Sequence, residues 1–258
     1  VKIDTAWGTM NAIDEGDGPL VVLLHPLAQG AELWRPVIDR LSPQFRVVAP
    51  DARGHGDSSW DGEPFTITDL ADDVAGLINR LQAGPAMVIA MSMGGCTAID
   101  LAVRHADQVS RLVLADTTSD YGAGKEQTWE TRAQNAQSKT REQQLTFQHD
   151  RWFSPWFLQN DPAEVARVSD IFVQTDSGAH AAACRALGAF NDSDQLVSIK
   201  APTLVVVGAE DYATPPLMAS VISRNIPGSR LLVLPDTRHL SLLQNPTVWS
   251  TITDFLGF

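Results

Sequence analysis

Short runs of aliphatic and β-branched residues, each ending in Gly, Pro, His or Asp, alternate with amphipathic segments through the first 117 residues and again beyond residue 200. The runs predict strands over 9–13, 20–25, 46–49, 86–90, 109–115, 203–208 and 230–234. Most are continuous rather than alternating, which is the pattern of strands covered on both faces, so a mostly parallel sheet flanked by helices is expected. Helical spacing predicts crossovers over 33–41, 67–81, 93–105, 216–224 and 246–255. In the second of these, Leu70, Val74, Leu77, Ile78 and Leu81 recur on one side and mark its buried face.

Between about residue 118 and residue 198 the strand signal stops. The segment is polar, helical in propensity and punctuated by Trp129, Phe147, Trp152, Phe153, Trp156, Phe157, Phe172 and Phe190, and it is too long for a simple crossover. It reads as a helical cap whose aromatics form a small core of their own, with a few facing a cavity beneath. The expected organisation is an α/β core from 1–117 and 199–258, with the cap, 118–198, inserted between.

Length and composition fit that reading. The chain has 258 residues, 44% of them apolar, which suffices for one substantial core, and no linker, repeat or charge block divides it. A formal charge of −12 opposes nucleic acid or an anionic membrane as partner. No apolar run approaches the ~20 residues that span a bilayer, and Val1 to Asp4 lack a basic segment leading into an apolar one, so a cytoplasmic location is the expectation. Cys96 and Cys184 are too few for a disulfide scaffold and carry no metal-ligand spacing, and they read as reduced packing residues. Neither a Gly-Lys-Ser/Thr phosphate loop, nor H-E-x-x-H, nor G-x-G-x-x-G is present, so no metal or cofactor is expected.

The strongest chemical signal is Val88-Ile89-Ala90-Met91-Ser92-Met93-Gly94-Gly95, where an apolar strand runs into a serine flanked by small residues and then a helix. Such a sharp turn lifts the serine oxygen to the end of the sheet, and small residues two before and two after let the chain pass its neighbours closely. The competing reading is an ordinary helix cap. A serine hydroxyl needs a base, and the base an orienting carboxylate. His239 follows the strand at 230–234 by a short loop, and Asp211 follows the strand at 203–208, so both fall at carboxyl ends of strands, where a crevice forms. Glu210 and Asp116 compete with Asp211 for the acid role.

An anionic intermediate needs two N–H donors. Met93 supplies one at the start of a helix, and the loop His25-Pro26-Leu27-Ala28-Gln29-Gly30 the other. Pro26 has no N–H, which leaves Leu27, while His25 reads as a brace for the loop. Trp34 fits either the pocket floor or core packing. Asp51-Ala52-Arg53-Gly54-His55-Gly56-Asp57-Ser58 reads as a scaffolding turn, tied by Asp51 and Arg53.

Over essentially its whole length the chain resembles the α/β-hydrolase superfamily. The resemblance rests on the H-x-L loop at His25, the D-x-R-G-H-G-x-S turn at Asp51 to Ser58, the elbow at Ser92, Gly208-Ala209-Glu210-Asp211 and His239, with Ser, Asp and His in that chain order. Within the superfamily it most resembles 3-oxoadipate enol-lactonases, through Ser92-Met93-Gly94-Gly95, Ala183-Cys184-Arg185-Ala186-Leu187, Asp211-Tyr212-Ala213-Thr214-Pro215-Pro216 and His239-Leu240-Ser241. Pro26 and Ala90 depart from the pattern, each standing where relatives usually have glycine.

The resemblance implies an α/β-hydrolase fold with the cap inserted after its sixth strand. It also implies hydrolysis of a small ester or lactone, an enol-lactone first, through an acyl-serine on Ser92, with His239 as base, Asp211 orienting it, and Met93 and Leu27 holding the oxyanion. Trp129, Arg132, Arg151 and Trp152 are the candidate substrate-binding residues of the cap, the arginines for a substrate carboxylate. Each of the four also fits the surface or the cap's own core. A carbon-carbon bond hydrolase and a cofactor-free haloperoxidase share the same machinery, and a small-ligand receptor on this scaffold is the non-enzymatic alternative.

Overall fold

The structure, a computed structural model, describes residues 1–257. Eight strands, β1 (Lys2–Thr5), β2 (Gly8–Glu15), β3 (Leu20–Leu24), β4 (Arg46–Pro50), β5 (Ala86–Met91), β6 (Val109–Ala115), β7 (Thr203–Gly208) and β8 (Arg230–Leu234), form one sheet in the order β1-β2-β4-β3-β5-β6-β7-β8. The β1–β2 and β2–β4 pairs are antiparallel and every other pair is parallel. Alternation along the strands divides the core in two. Val22, Leu24, Val88, Ala90, Leu112 and Leu114 face one cluster, while Val21, Leu23, Ile89, Met91, Val113 and Ala115 face the other. A fully buried strand such as β3, Leu-Val-Val-Leu-Leu, is the result of serving both.

Helices α1 (Arg35–Leu41), α2 (Ile67–Leu81), α3 (Met93–Arg104), α9 (Pro216–Asn225), α10 (Ser241–Gln244) and α11 (Val248–Leu256) accompany the strands. α2 occupies the predicted span; it begins at a capping box of Thr66 and Asp69 and ends at Gln82, which turns left-handed at φ 50°. Its predicted inner face is buried except for Leu81, which is half-buried in the last turn.

Several boundaries depart from expectation for local reasons. The helix expected over 33–41 is a 3₁₀ turn, Ala31–Trp34, followed by α1, because Pro36 lacks an N–H and is accommodated only in a first turn. The helix expected over 246–255 starts later, at Val248, and the shorter α10 precedes it. β1 was not expected at all: Lys-Ile-Asp-Thr has no apolar run, and it is held by its register with β2, Lys2 opposite Asn11 and Ile3 opposite Met10.

Between β6 and β7 lie α4 (Lys125–Ser138), α5 (Arg141–Trp152), α6 (Pro155–Asn160), α7 (Pro162–Gln174) and α8 (Ser177–Ala189). Trp129, Trp152, Phe153, Phe157, Phe172 and Phe190 are buried there, but Phe147 and Trp156 are 51% and 65% exposed and do not join the small core expected of the segment's aromatics. α4 and α8 approach closely at Gly188, where a Cβ would come within 2.9 Å of the Trp129 Cβ. Among the described residues no helix is long and apolar enough to cross a membrane.

Candidate active site

β5 delivers Ser92 at its carboxyl end, between the strand and α3, with φ at 77° and ψ at −110°. A non-glycine residue at positive φ is strained, and its neighbours hold it there. The Ser92 N–H donates to the Ala115 carbonyl (3.0 Å), and its own carbonyl accepts from the Thr117 hydroxyl (2.7 Å) and the Cys96 N–H (2.9 Å). Two glycines permit this crowding. A Cβ on Gly94 would stand 2.3 Å from the Leu24 carbonyl oxygen, and one on Gly95 2.5 Å from the Thr117 side chain.

The elbow, the β7 turn and the loop after β8 meet. Ser92 Oγ is 2.9 Å from His239 Nε2, and His239 Nδ1 is 2.8 Å from Asp211 Oδ2, with all three side chains buried. Asp211 also accepts from the Ala213 and Thr214 N–H groups on Oδ1 (2.7 and 3.1 Å) and from the Thr214 hydroxyl on Oδ2 (2.8 Å). Burial by itself would raise the Asp211 pKa, but the facing His239 and these hydrogen bonds outweigh it and hold the carboxyl below its ordinary value. A carboxylate so held favours the His239 tautomer with its proton on Nδ1, leaving Nε2 to accept from the serine.

The two rival acids are elsewhere. Asp116 accepts from the Gly208 N–H (3.1 Å) and the Ser241 N–H (2.9 Å), tying the acid-bearing and histidine-bearing loops together. Burial, then the nearby Asp211 charge, pushes its pKa well up. Glu210 is exposed and lies 3.7 Å from the Arg238 guanidinium.

Leu27 belongs to a turn closed by the Gln29 N–H on the Pro26 carbonyl (3.2 Å), and its own N–H has no acceptor among the described residues. Met93 opens α3, so its N–H has no carbonyl one helical turn back. His25 braces the loop: Nδ1 donates to the Pro26 carbonyl (2.8 Å) and Nε2 accepts from the Ala52 N–H (3.0 Å). Burial lowers its pKa to about 4, which keeps the ring neutral. Asp51 anchors the following turn, accepting from Asn11, Ala31 and Asp57, and Arg53 pairs with Asp73 at 2.7 Å. Trp34 is packed wholly in the core and does not line the cavity.

A narrow cavity opens over Ser92 and His239, lined by Pro26, Leu27, Trp129, Arg132, Gln148, Arg151, Trp152 and His180. All four residues singled out for substrate contact therefore reach it, two from α4 and two from α5. Arg132 lies over the Trp129 ring at 4.4 Å, and neither Arg132 nor Arg151 has a carboxylate partner among the described residues. Burial, then repulsion from Arg132, brings the Arg151 pKa down to about 9, so it remains a cation at neutral pH. Arg132, Gln148 and His180 also line an outer hollow and stand between the two spaces.

Sequence reasoning missed Thr214, Gln148 and His180. Thr214 follows Asp211 by three residues, the spacing of a side-chain-capped turn. Gln148 precedes Arg151 and Trp152 by three and four positions on one helix, so it shares their face. His180 carried no such signal.

Chemically, the site offers a hydroxyl beside a base, a carboxylate behind that base, two unpaired backbone donors and two unpaired cations. A model of the alpha/beta hydrolase fold family matches residues 19–246. The chain is 30% identical over 240 residues to 3-oxoadipate enol-lactonase 2 of Acinetobacter baylyi, covering 92% of this chain and 87% of that protein. It superposes on the enol-lactonase from Burkholderia xenovorans LB400 with a TM-score of 0.91 at 32% identity, covering 97% of both chains. It superposes on a thermophilic esterase from Thermogutta terrifontis with a TM-score of 0.92 at 28% identity, covering 99% of this chain and 97% of that one.

Proposed function

The chain belongs to the alpha/beta hydrolase fold family, and on that premise we propose that it is a serine hydrolase of a small, carboxylate-bearing ester or lactone, an enol-lactone first among them. The observation that carries the reading is the hydrogen-bonded line Ser92–His239–Asp211 ending in a cavity that holds two cations without counter-charges.

In this mechanism Ser92 Oγ attacks the substrate carbonyl as His239 Nε2 takes its proton, and Asp211 stabilises the imidazolium that results. The Met93 and Leu27 N–H groups bind the oxyanion. The intermediate collapses to an acyl-serine, and the leaving oxygen departs with the proton from His239; an enol leaving group is favoured because its negative charge is delocalised. Water, deprotonated by His239, then attacks the acyl carbon, Ser92 Oγ recovers the proton, and the free acid leaves. None of these steps calls on a cofactor.

Arg132 and Arg151 would hold the substrate carboxylate. In a chain of net charge −12 the long-range field repels an anionic substrate, so the affinity must come from charges that the substrate meets inside the cavity. We read 118–198 as the cap that carries these arginines. The two cysteines, free and buried, fit a reducing, cytoplasmic setting.

Ser92→Ala is expected to reduce hydrolysis of 4-nitrophenyl acetate by at least ~10³-fold with an unchanged circular dichroism spectrum. Retained turnover would place the nucleophile elsewhere. A panel of enol-lactones, saturated lactones, aryl esters and vinylogous diketones, compared by kcat/KM, then decides the substrate class.

A further inference from the structure

His180, on α8, is 3% exposed, lines the cavity above Ser92, and belongs neither to the hydrogen-bonded line nor to the oxyanion donors. Its Nδ1 lies 2.7 Å from Arg141 Nη1. Arg141 is the first residue of α5 and is itself fixed: Nε and Nη2 donate to the Phe172 carbonyl at the end of α7 (3.2 and 2.8 Å), and the guanidinium stacks 3.9 Å from the Phe172 ring centroid. Three cap helices are thus joined at one guanidinium.

The consequence for the imidazole follows from donor inventory. A guanidinium only donates, so His180 Nδ1 must accept, and the single ring proton must be on Nε2. Protonating Nδ1 would break that bond and place a second cation against Arg141. Burial, then Arg141, Arg132 and His55, all oppose the charged ring and push its pKa well below the ordinary value. Nε2 has no partner among the described residues, and the ring faces a cavity whose other polar side chains include Arg132.

We propose that His180 is a substrate-binding residue whose Nε2–H donates to one oxygen of the substrate carboxylate held by Arg132, and that Arg141 is the positioning residue that fixes this tautomer. The assignment rests on the hydrolase reading above and deepens it. Arg132 supplies charge and its own N–H donors from one side of the carboxylate. A neutral donor on a second side of the carboxylate constrains its orientation without adding a further charge to a site already containing two cations.

The test uses two esters with the same leaving group, 4-nitrophenyl acetate and 4-nitrophenyl hemisuccinate, and reads the ratio of their kcat/KM values. In His180→Phe the hemisuccinate-to-acetate ratio is expected to fall about tenfold or more, chiefly through KM for the hemisuccinate, and His180→Gln, which keeps a donor, is expected to recover much of it. Nitrogen NMR of histidine-labelled protein should show His180 as the Nε2–H tautomer without titration between pH 5 and 8, and in Arg141→Met both tautomers and a titrating ring. An unchanged ratio in His180→Phe, or a titrating or Nδ1–H ring in the wild type, overturns the proposal. Failure of the hydrolase reading would show separately, as acetate turnover that does not depend on Ser92. In that event succinate still decides: a shift of the His180 Nε2–H resonance on titration supports the donor, and its absence refutes it.

Discussion

Asp116 and Asp211 show how two buried carboxylates at the ends of adjacent strands take different work. Asp211 accepts from His239, while Asp116, at a left-handed φ of 48°, accepts two backbone N–H groups from the loops that carry Asp211 and His239. In the proposed mechanism Asp211→Asn removes the charge that stabilises the imidazolium, and kcat is expected to fall ~10³ to 10⁴-fold with little loss of fold. Asp116→Asn keeps the left-handed preference but turns one acceptor into a donor facing an N–H. Stability should drop by ~1–3 kcal/mol, read by urea unfolding, with kcat falling by less than about tenfold. Equal kinetic losses in the two variants would make Asp116 part of the proton path. The spacing of these residues along the chain left both open as the acid, because each follows a strand; only which one meets the imidazole separates them.

At the scale of elements, α3 and the loop after β3 are decided by a single atom. In an isolated helix Gly94→Ala would stabilise by about 1 kcal/mol. Here the added methyl would meet the Leu24 carbonyl carbon and oxygen at 2.6 and 2.3 Å and the His25 carbonyl oxygen at 2.9 Å, all backbone, so the helix and the loop must part. The expected result is the reverse of the propensity: a lower melting temperature and a reduced kcat, because Leu27 and Met93 stand on the two sides of that contact. The same scale shows where periodicity sufficed. The 15-residue α2, with its capping box and one apolar face, is placed residue for residue by its periodicity, whereas β1, four residues none of which is buried, leaves no trace in the pattern. A helix that buries its own stripe records its position in its own sequence, while an edge strand is specified by the partner it pairs with.

Across the molecule, three buried histidines are held neutral. Burial lowers His25 to about 4; burial with the neighbouring His25 lowers His55 to about 3; and His180 lies well below its ordinary value. In the unfolded chain each takes up a proton near 6.5. Below that pH the unfolded state binds more protons than the folded one, so stability falls as pH drops from about 6.5 toward 4, by up to about 1.4 kcal/mol per pH unit for each histidine. Above 6.5 these groups add no pH dependence. A melting temperature that stays flat between pH 6.5 and 4.5 would contradict their burial in the neutral state. His55→Gln should make the decline shallower.

Seven of the eight strands, the mostly parallel sheet, the elbow at Ser92 and the candidates Asp211 and His239 were all present in the linear sequence, since each is expressed by residues close together: an apolar run, then a turn, then a polar side chain. The pairing of Arg141 with His180, the choice between Asp116 and Asp211, and the gathering of Arg132, Gln148 and Arg151 over Ser92 came only with the folded chain. Those relations join residues far apart in the chain, Asp211 with His239 across 28 positions and Arg141 with His180 across 39, and no local period records a distance across space. Polar side chains in particular are placed by the partner that satisfies them, and that partner is chosen by how the elements dock.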